Sequence, residues 1–215
     1  MHKRVWAAVL AVWVAITVAV PSAGSEERTG DGLQVLTGER AGKQFAAGRQ
    51  VYLDAQVDDD VFAVGGDVQV RGGRFVDLFA AGGLIELLDA TGRDAVLAGL
   101  SLDVGGALSG DLIAAGGSID LAPSAEITGD AILAAGRIDL AGTVGGILRA
   151  AGGTVRIDGR VGGPVNVTAG ELVLGPQARV EGDLTYASGQ EIRILEGARV
   201  TGEITRSAPF GPPRE

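Results

Sequence analysis

The chain has 215 residues, a formal charge of −9, no cysteine and one histidine. The missing cysteine excludes disulfides, thiolate metal sites and a Cys nucleophile. The acidic balance works against nucleic-acid binding, which needs a basic surface to neutralise phosphates.

The chain opens with a basic start, His2, Lys3 and Arg4, followed by an apolar run over 5–20 that only Thr17 interrupts. Small residues at 21–25 then suit cleavage. This order predicts a secretory signal peptide over 1–25, because the run is short for a membrane span, which needs about 20 residues. The protein is therefore expected to be secreted, periplasmic or in the cell envelope, soluble or peripheral to a membrane. Trp6, Trp13 and His2 all fall in this leader, so the mature chain has no histidine. Without Lys3 and Arg4 it carries 16 basic against 27 acidic residues, a charge of −11. Residues 26–42 are expected as an N-terminal cap or linker.

From residue 51 an aliphatic–x–aliphatic triplet recurs: Val51-Tyr52-Leu53, Val68-Gln69-Val70, Ile85-Glu86-Leu87, Leu102-Asp103-Val104, Ile119-Asp120-Leu121, Ile138-Asp139-Leu140, Val155-Arg156-Ile157, Leu172-Val173-Leu174 and Ile192-Arg193-Ile194. The steps are 17, 17, 17, 17, 19, 17, 17 and 20 residues. Short alternating runs at such a period predict a coil that stacks on itself. Each coil is too short to close a core, so its inward side chains are buried by the coils above and below. The inward candidates of a preceding run are Val61/Ala63, Leu78/Ala80, Ala95/Leu97, Leu112/Ala114, Ala131/Leu133, Leu148/Ala150 and Val165/Val167. A third run supplies one aliphatic in most coils: Val57, Leu108, Ile127, Val144, Val161, Val180 and Val200. Glycine suits the corners because it reaches positive φ, and Asp because it binds nearby amides. Longer corners before Ile127, Val180 and Val200 are expected to bulge at one edge of the stack. The pattern predicts an all-β, single-domain parallel β-helix over 43–205, with about nine or ten coils and a length of roughly 45 Å. A Pro-rich tail over 206–215 is expected to be disordered.

Residues 110–117, 145–163 (GGILRAAGGTVRIDGRVGG) and 174–183 (LGPQARVEGD) resemble the repeat of bactofilins, the polymer-forming cytoskeletal proteins. The resemblance covers about residues 42–204 and rests on fold-determining positions. It implies a right-handed helix of triangular section that self-assembles without nucleotide, with tails that modulate assembly. The leader is a departure, since typical bactofilins act on the cytoplasmic side.

Stacking turns equivalent positions into surface columns. Phe45, Phe62, Phe79, Val96, Ile113 and Ile132 form an apolar outer stripe, followed by Arg149, Asn166 and Thr185. Exposed apolar patches mark contact surfaces, so self-association, an envelope partner or a membrane-peripheral contact is expected there, unless residues 26–42 or 206–215 cover it. Asp60, Asp77, Asp94, Asp111 and Asp130 make a corner column, and Glu86, Asp103, Asp120 and Asp139 another on the middle run. Within the first, Asp77, Asp94, Asp111 and Asp130 are candidate Ca²⁺ ligands, oxygen-only sets favouring that ion. The competing reading has them accept backbone N–H bonds, with no metal and no cofactor. Charge is uneven: residues 26–145 hold 8 basic and 19 acidic side chains, 146–215 hold 8 of each.

Without His or Cys no Ser-His-Asp or Cys-His machinery can form in the mature chain. Aligned acids such as Asp103 and Asp120 match the carboxylate spacing of retaining glycosidases, about 5 Å, as any parallel stack of acids would. The expectation is a non-catalytic scaffold that self-assembles, end to end through an open end with unpaired strand edges or laterally through the stripe. A monomeric envelope or adhesin-like binding module is the alternative, and a polysaccharide-active enzyme a more distant one.

Overall fold

The computed structural model describes residues 28–29 and 32–207; the leader over 1–25 and the tail from 208 lie outside the described residues. Alternating side chains in the triplets put one aliphatic pair inward and one residue outward, and stacking then repeats that choice in every coil. Among the described residues there are eighteen strands and no helix, joined in one sheet. Every pairing between strands is parallel except that of Arg28–Thr29 with Leu33–Arg40. The result is a β-solenoid of about ten coils of roughly 17 residues.

The register follows the repeat residue for residue. Leu53, Val70, Leu87, Val104, Leu121, Leu140, Ile157 and Leu174 form one continuous inward column, and all are buried. The inward pairs of the first run, from Val61/Ala63 to Val165/Val167, are buried as well. Each large aliphatic withdrawn from water contributes about 1.5–3 kcal/mol, a gain that exists only when neighbouring coils are in place.

The third column has an apparent gap between Val57 and Leu108, which Phe75 and Gly92 fill. Phe75 is buried, and a Cβ on Gly92 would fall inside its ring. One large side chain thus serves two coils. The three longer corners each turn on an alanine: Ala125, Ala178 and Ala198 donate their N–H to Ala122, Gly175 and Leu195 at 2.8, 3.0 and 3.1 Å. Ala125 and Ala178 are buried in the core.

Two expectations are corrected. Corner glycines such as Gly82, Gly99 and Gly116 do not need positive φ, which occurs at Gly32, Gly38, Gly42, Gly72 and Gly197. They need space: a Cβ on Gly116 would lie 2.4 Å from the Gly99 carbonyl oxygen one coil below. The solenoid also begins before residue 43. Leu33–Arg40 stacks in parallel on the next coil, Gln34 opposite Val51 and Leu36 opposite Leu53. The repeat is hidden there because Gln34 holds an inward aliphatic position; its Oε1 accepts the Ala47 N–H. At the other boundary the last strand, Ile204–Ser207, takes two residues from the expected tail.

Candidate functional site

The first run places the stripe residues on the outer face in strict register: Phe45, Phe62, Phe79, Val96, Ile113, Ile132 and then Arg149. The three rings stack, with centroids 5.0 and 4.9 Å apart and planes inclined by 11° and 7°. Phe79 is 38% exposed and its neighbour Val64 39%. Residues 33–40 lie on the other two faces, paired with 50–57, and so do not cover the stripe.

The corner aspartates form a ladder through the backbone. Asp94 Oδ1 accepts the Asp111 N–H at 2.7 Å, Asp111 Oδ1 the Asp130 N–H at 2.8 Å, and Asp130 Oδ1 the Ile147 N–H at 2.8 Å. Asp77 is paired with Arg93, which also reaches Asp94. Asp158 and Asp183 repeat the device with Gln177 and Glu203. Each carboxylate thus receives a donor of the coil stacked upon it. Among the described residues no three acidic side chains converge as a metal site.

On the middle face Glu86, Asp103, Asp120 and Asp139 are neighbours in register. Arg71 pairs with Glu86 and Arg137 with Asp139, so the two ends of the column are neutralised. Asp120 sits between Asp103 and Asp139; partial burial, then those two charges, raise its pKa above the ordinary value. Asp158 shows the opposite balance. Burial pushes it upward, but the Arg156 hydrogen bond, the Gln177 N–H and the Arg156 charge together hold it below the usual range.

The third face carries an open groove of about 1250 Å³, lined among others by Arg40, Arg74, Arg93, Thr91, Ser109 and Glu126. Its floor is shallow because the outward residues between Arg74 and Glu126 are Thr91 and Ala107. Further along this face Arg160, Arg179 and Arg199 stack in register. Arg160 pairs with Glu181, while Arg179 donates to the carbonyls of Ala178 and Gly197.

The solenoid's two ends differ. At the start, Gly32 O accepts the Arg49 and Gln50 N–H groups, and Gln34 takes the Ala47 N–H. At the finish, Ile194 is 48% and Ile204 39% exposed, with Ile192, Ala198 and Val200 only partly covered. The last coil has no further strand on its outer edge among the described residues. Sequence reasoning anticipated an open end but not which one; the polar Gln34 against the apolar Ile194 and Ile204 is the signal that distinguishes them.

Together these features define a rod-like parallel β-solenoid with patterned outer faces. No protein-family model, curated protein or solved structure matches this chain. Among the described residues no helix is long and apolar enough to cross a membrane.

Proposed function

We propose that the protein is a non-catalytic structural rod that self-assembles outside the cytoplasm, in the manner of the bactofilin-like repeats it resembles. The observation that carries this reading is the C-terminal end. There two core columns finish on exposed Ile194 and Ile204, next to a parallel strand edge with no partner among the described residues. Such an edge is a template for another strand, and covering the two isoleucines adds hydrophobic gain. Ile194→Glu with Ile204→Glu changes only surface side chains. The expected result is loss of concentration-dependent assembly in sedimentation with the monomer's melting curve preserved; unchanged assembly counts against the end as the contact.

The groove on the third face favours a second reading, a monomeric cell-envelope binding module. Arg40 and Arg74 with the hydroxyls of Thr91 and Ser109 offer donors to an extended anionic chain, in a lining that also holds Glu39, Asp58 and Glu126. Retention of the protein by acidic polysaccharide, lost on Arg74→Ala, together with a monomer at all concentrations, supports that reading over assembly.

A further inference from the structure

The outer face of the first run carries two apolar columns. Beside Phe45, Phe62, Phe79, Val96, Ile113 and Ile132 runs a second, two residues on: Ala47, Val64, Ala81, Ala98, Ala115 and Ala134, in the same register. No polar side chain enters either column across these coils. Arg149 then ends the first, and Thr168 ends the second after Ala151. The columns differ in height, rings and branched chains beside methyl groups that only Val64 interrupts, so the face is a straight ridge along a trough that is shallower at Val64. The near-parallel rings keep the ridge straight.

A ridge and trough with this coil spacing complement a surface of the same spacing, which a second copy of the chain supplies. We propose that two copies pack this face together with their rods parallel, about a two-fold axis along the rod, each ridge lying in the partner's trough. An antiparallel pair would set ridge on ridge. It would also bring the corner aspartates Asp60, Asp77, Asp94, Asp111 and Asp130 of both rods to the same edge, where like charges repel. The parallel pair instead sets that acidic edge against the partner's opposite corner, where Arg49, Gly66, Gly83, Leu100 and Gly117 follow one another and carry no acid.

The strip is about 24 Å long at the usual strand spacing. At two columns wide it buries a few hundred Å², well under the roughly 800 Å² per partner of a stable complex. One pair of rods therefore associates weakly. Rods joined end to end present the strip repeatedly, and linkage turns weak contacts into firm ones; the strength of bundling, though not its geometry, rests on the end-assembly reading.

The absence of cysteine makes the geometry testable. Ala47→Cys and Ala134→Cys place one thiol at either end of the trough with little change in volume. At high protein concentration a flexible thiol crosslinker reaching just beyond the ~10 Å between packed sheets is expected to join Ala47→Cys to itself and Ala134→Cys to itself. It is expected not to join differently tagged Ala47→Cys and Ala134→Cys copies, whose thiols lie about 24 Å apart along the rod. Ala115→Lys, filling the trough with a charge, is expected to lower the yield about tenfold. Joining of the mixed copies, or yields no higher than a Ser109→Cys control on the third face, overturns the proposal. The same crosslinks are expected when Ile194→Glu and Ile204→Glu block the end. Filament loss without crosslink loss thus tells failure at the end from failure on the face.

Discussion

At its first coil one core column is closed by Gln34, whose amide oxygen takes the Ala47 N–H, whereas at the last coil Ile194 and Ile204 stand 48% and 39% exposed. Gln34 heads the column of Val51, Ile194 ends the neighbouring column that starts at Leu36, and Ile204 ends the column through Leu184. The first end spends a polar residue inside the column to satisfy a backbone donor that has no preceding coil. The last keeps the apolar pattern to its final strand and leaves the surface bare. In a solenoid the ends are where the repeat must either stop or continue in another molecule; a growing filament sets the bare last coil of one rod against the first coil of the next, so the two ends are unlike halves of one contact.

The largest expected effect separates the middle of the rod from its open end. Ile138→Ala removes side-chain volume from a fully enclosed column and is expected to cost about 2–5 kcal/mol in denaturant unfolding. Ile194→Ala, at the open end, is expected to cost under about 1 kcal/mol in the monomer. Equal costs would mean that the end is covered in solution. Gly116→Val comes next, since its Cβ meets the Gly99 carbonyl at 2.4 Å; overpacking of this kind is expected to cost about 1–3 kcal/mol. Gly189→Val, where a Cβ meets nothing, is expected to be near neutral in the same measurement.

Gln34→Leu restores the aliphatic pattern at the closed end but strands the Ala47 N–H, a loss of about 1–3 kcal/mol if the amide stays buried. The expected sign is destabilisation, or fraying of the first coil in hydrogen exchange. A gain in stability would show that Gln34 is not a cap.

The smallest effects concern charge. Asp120 has a raised pKa, so the folded state holds its proton more tightly than the unfolded chain, and stability falls as pH rises through the folded value. Asp120→Asn is thus expected to raise the melting temperature at neutral pH and to do nothing well below the usual Asp value of about 3.9. Asp158 is depressed and has the reverse sign: its contribution is present above the unfolded value and lost as pH falls through the folded one. Asp158→Asn is expected to lower the melting temperature at neutral pH, by an amount that shrinks on acidification. Added Ca²⁺ and chelator are expected to give the same midpoint, because Asp94, Asp111 and Asp130 already bind backbone donors and Asp77 is paired with Arg93.

Much of the rod was legible because burial acts on every coil alike. The triplets, the inward pairs and the third-run aliphatics all face the core, and the stripe from Phe45 to Ile132 stacks as the spacing implied. Where one residue does the work of two, or a polar group stands in an apolar column, the pattern misleads. Phe75 reaches across Gly92, and Gln34 hides the first coil, for those reasons. The corner glycines were recognised but explained wrongly: sequence shows that Cβ is absent, while the crowding of the carbonyl one coil away appears only once coils are stacked. The corner aspartates were ambiguous between amides and a cation; the stacking distance brings the next coil's N–H to Asp94, Asp111 and Asp130, while Asp77 pairs with Arg93 and Asp60 with Lys43.

The most direct test of the open end is negative-stain microscopy of the purified protein beside the Ile194→Glu, Ile204→Glu variant across a concentration series. The expected wild-type result is filaments that lengthen with concentration from units of about 45 Å, and single short rods for the variant. A wild-type protein that stays a single rod at every concentration, or a variant that forms the same filaments, would contradict assembly through this end.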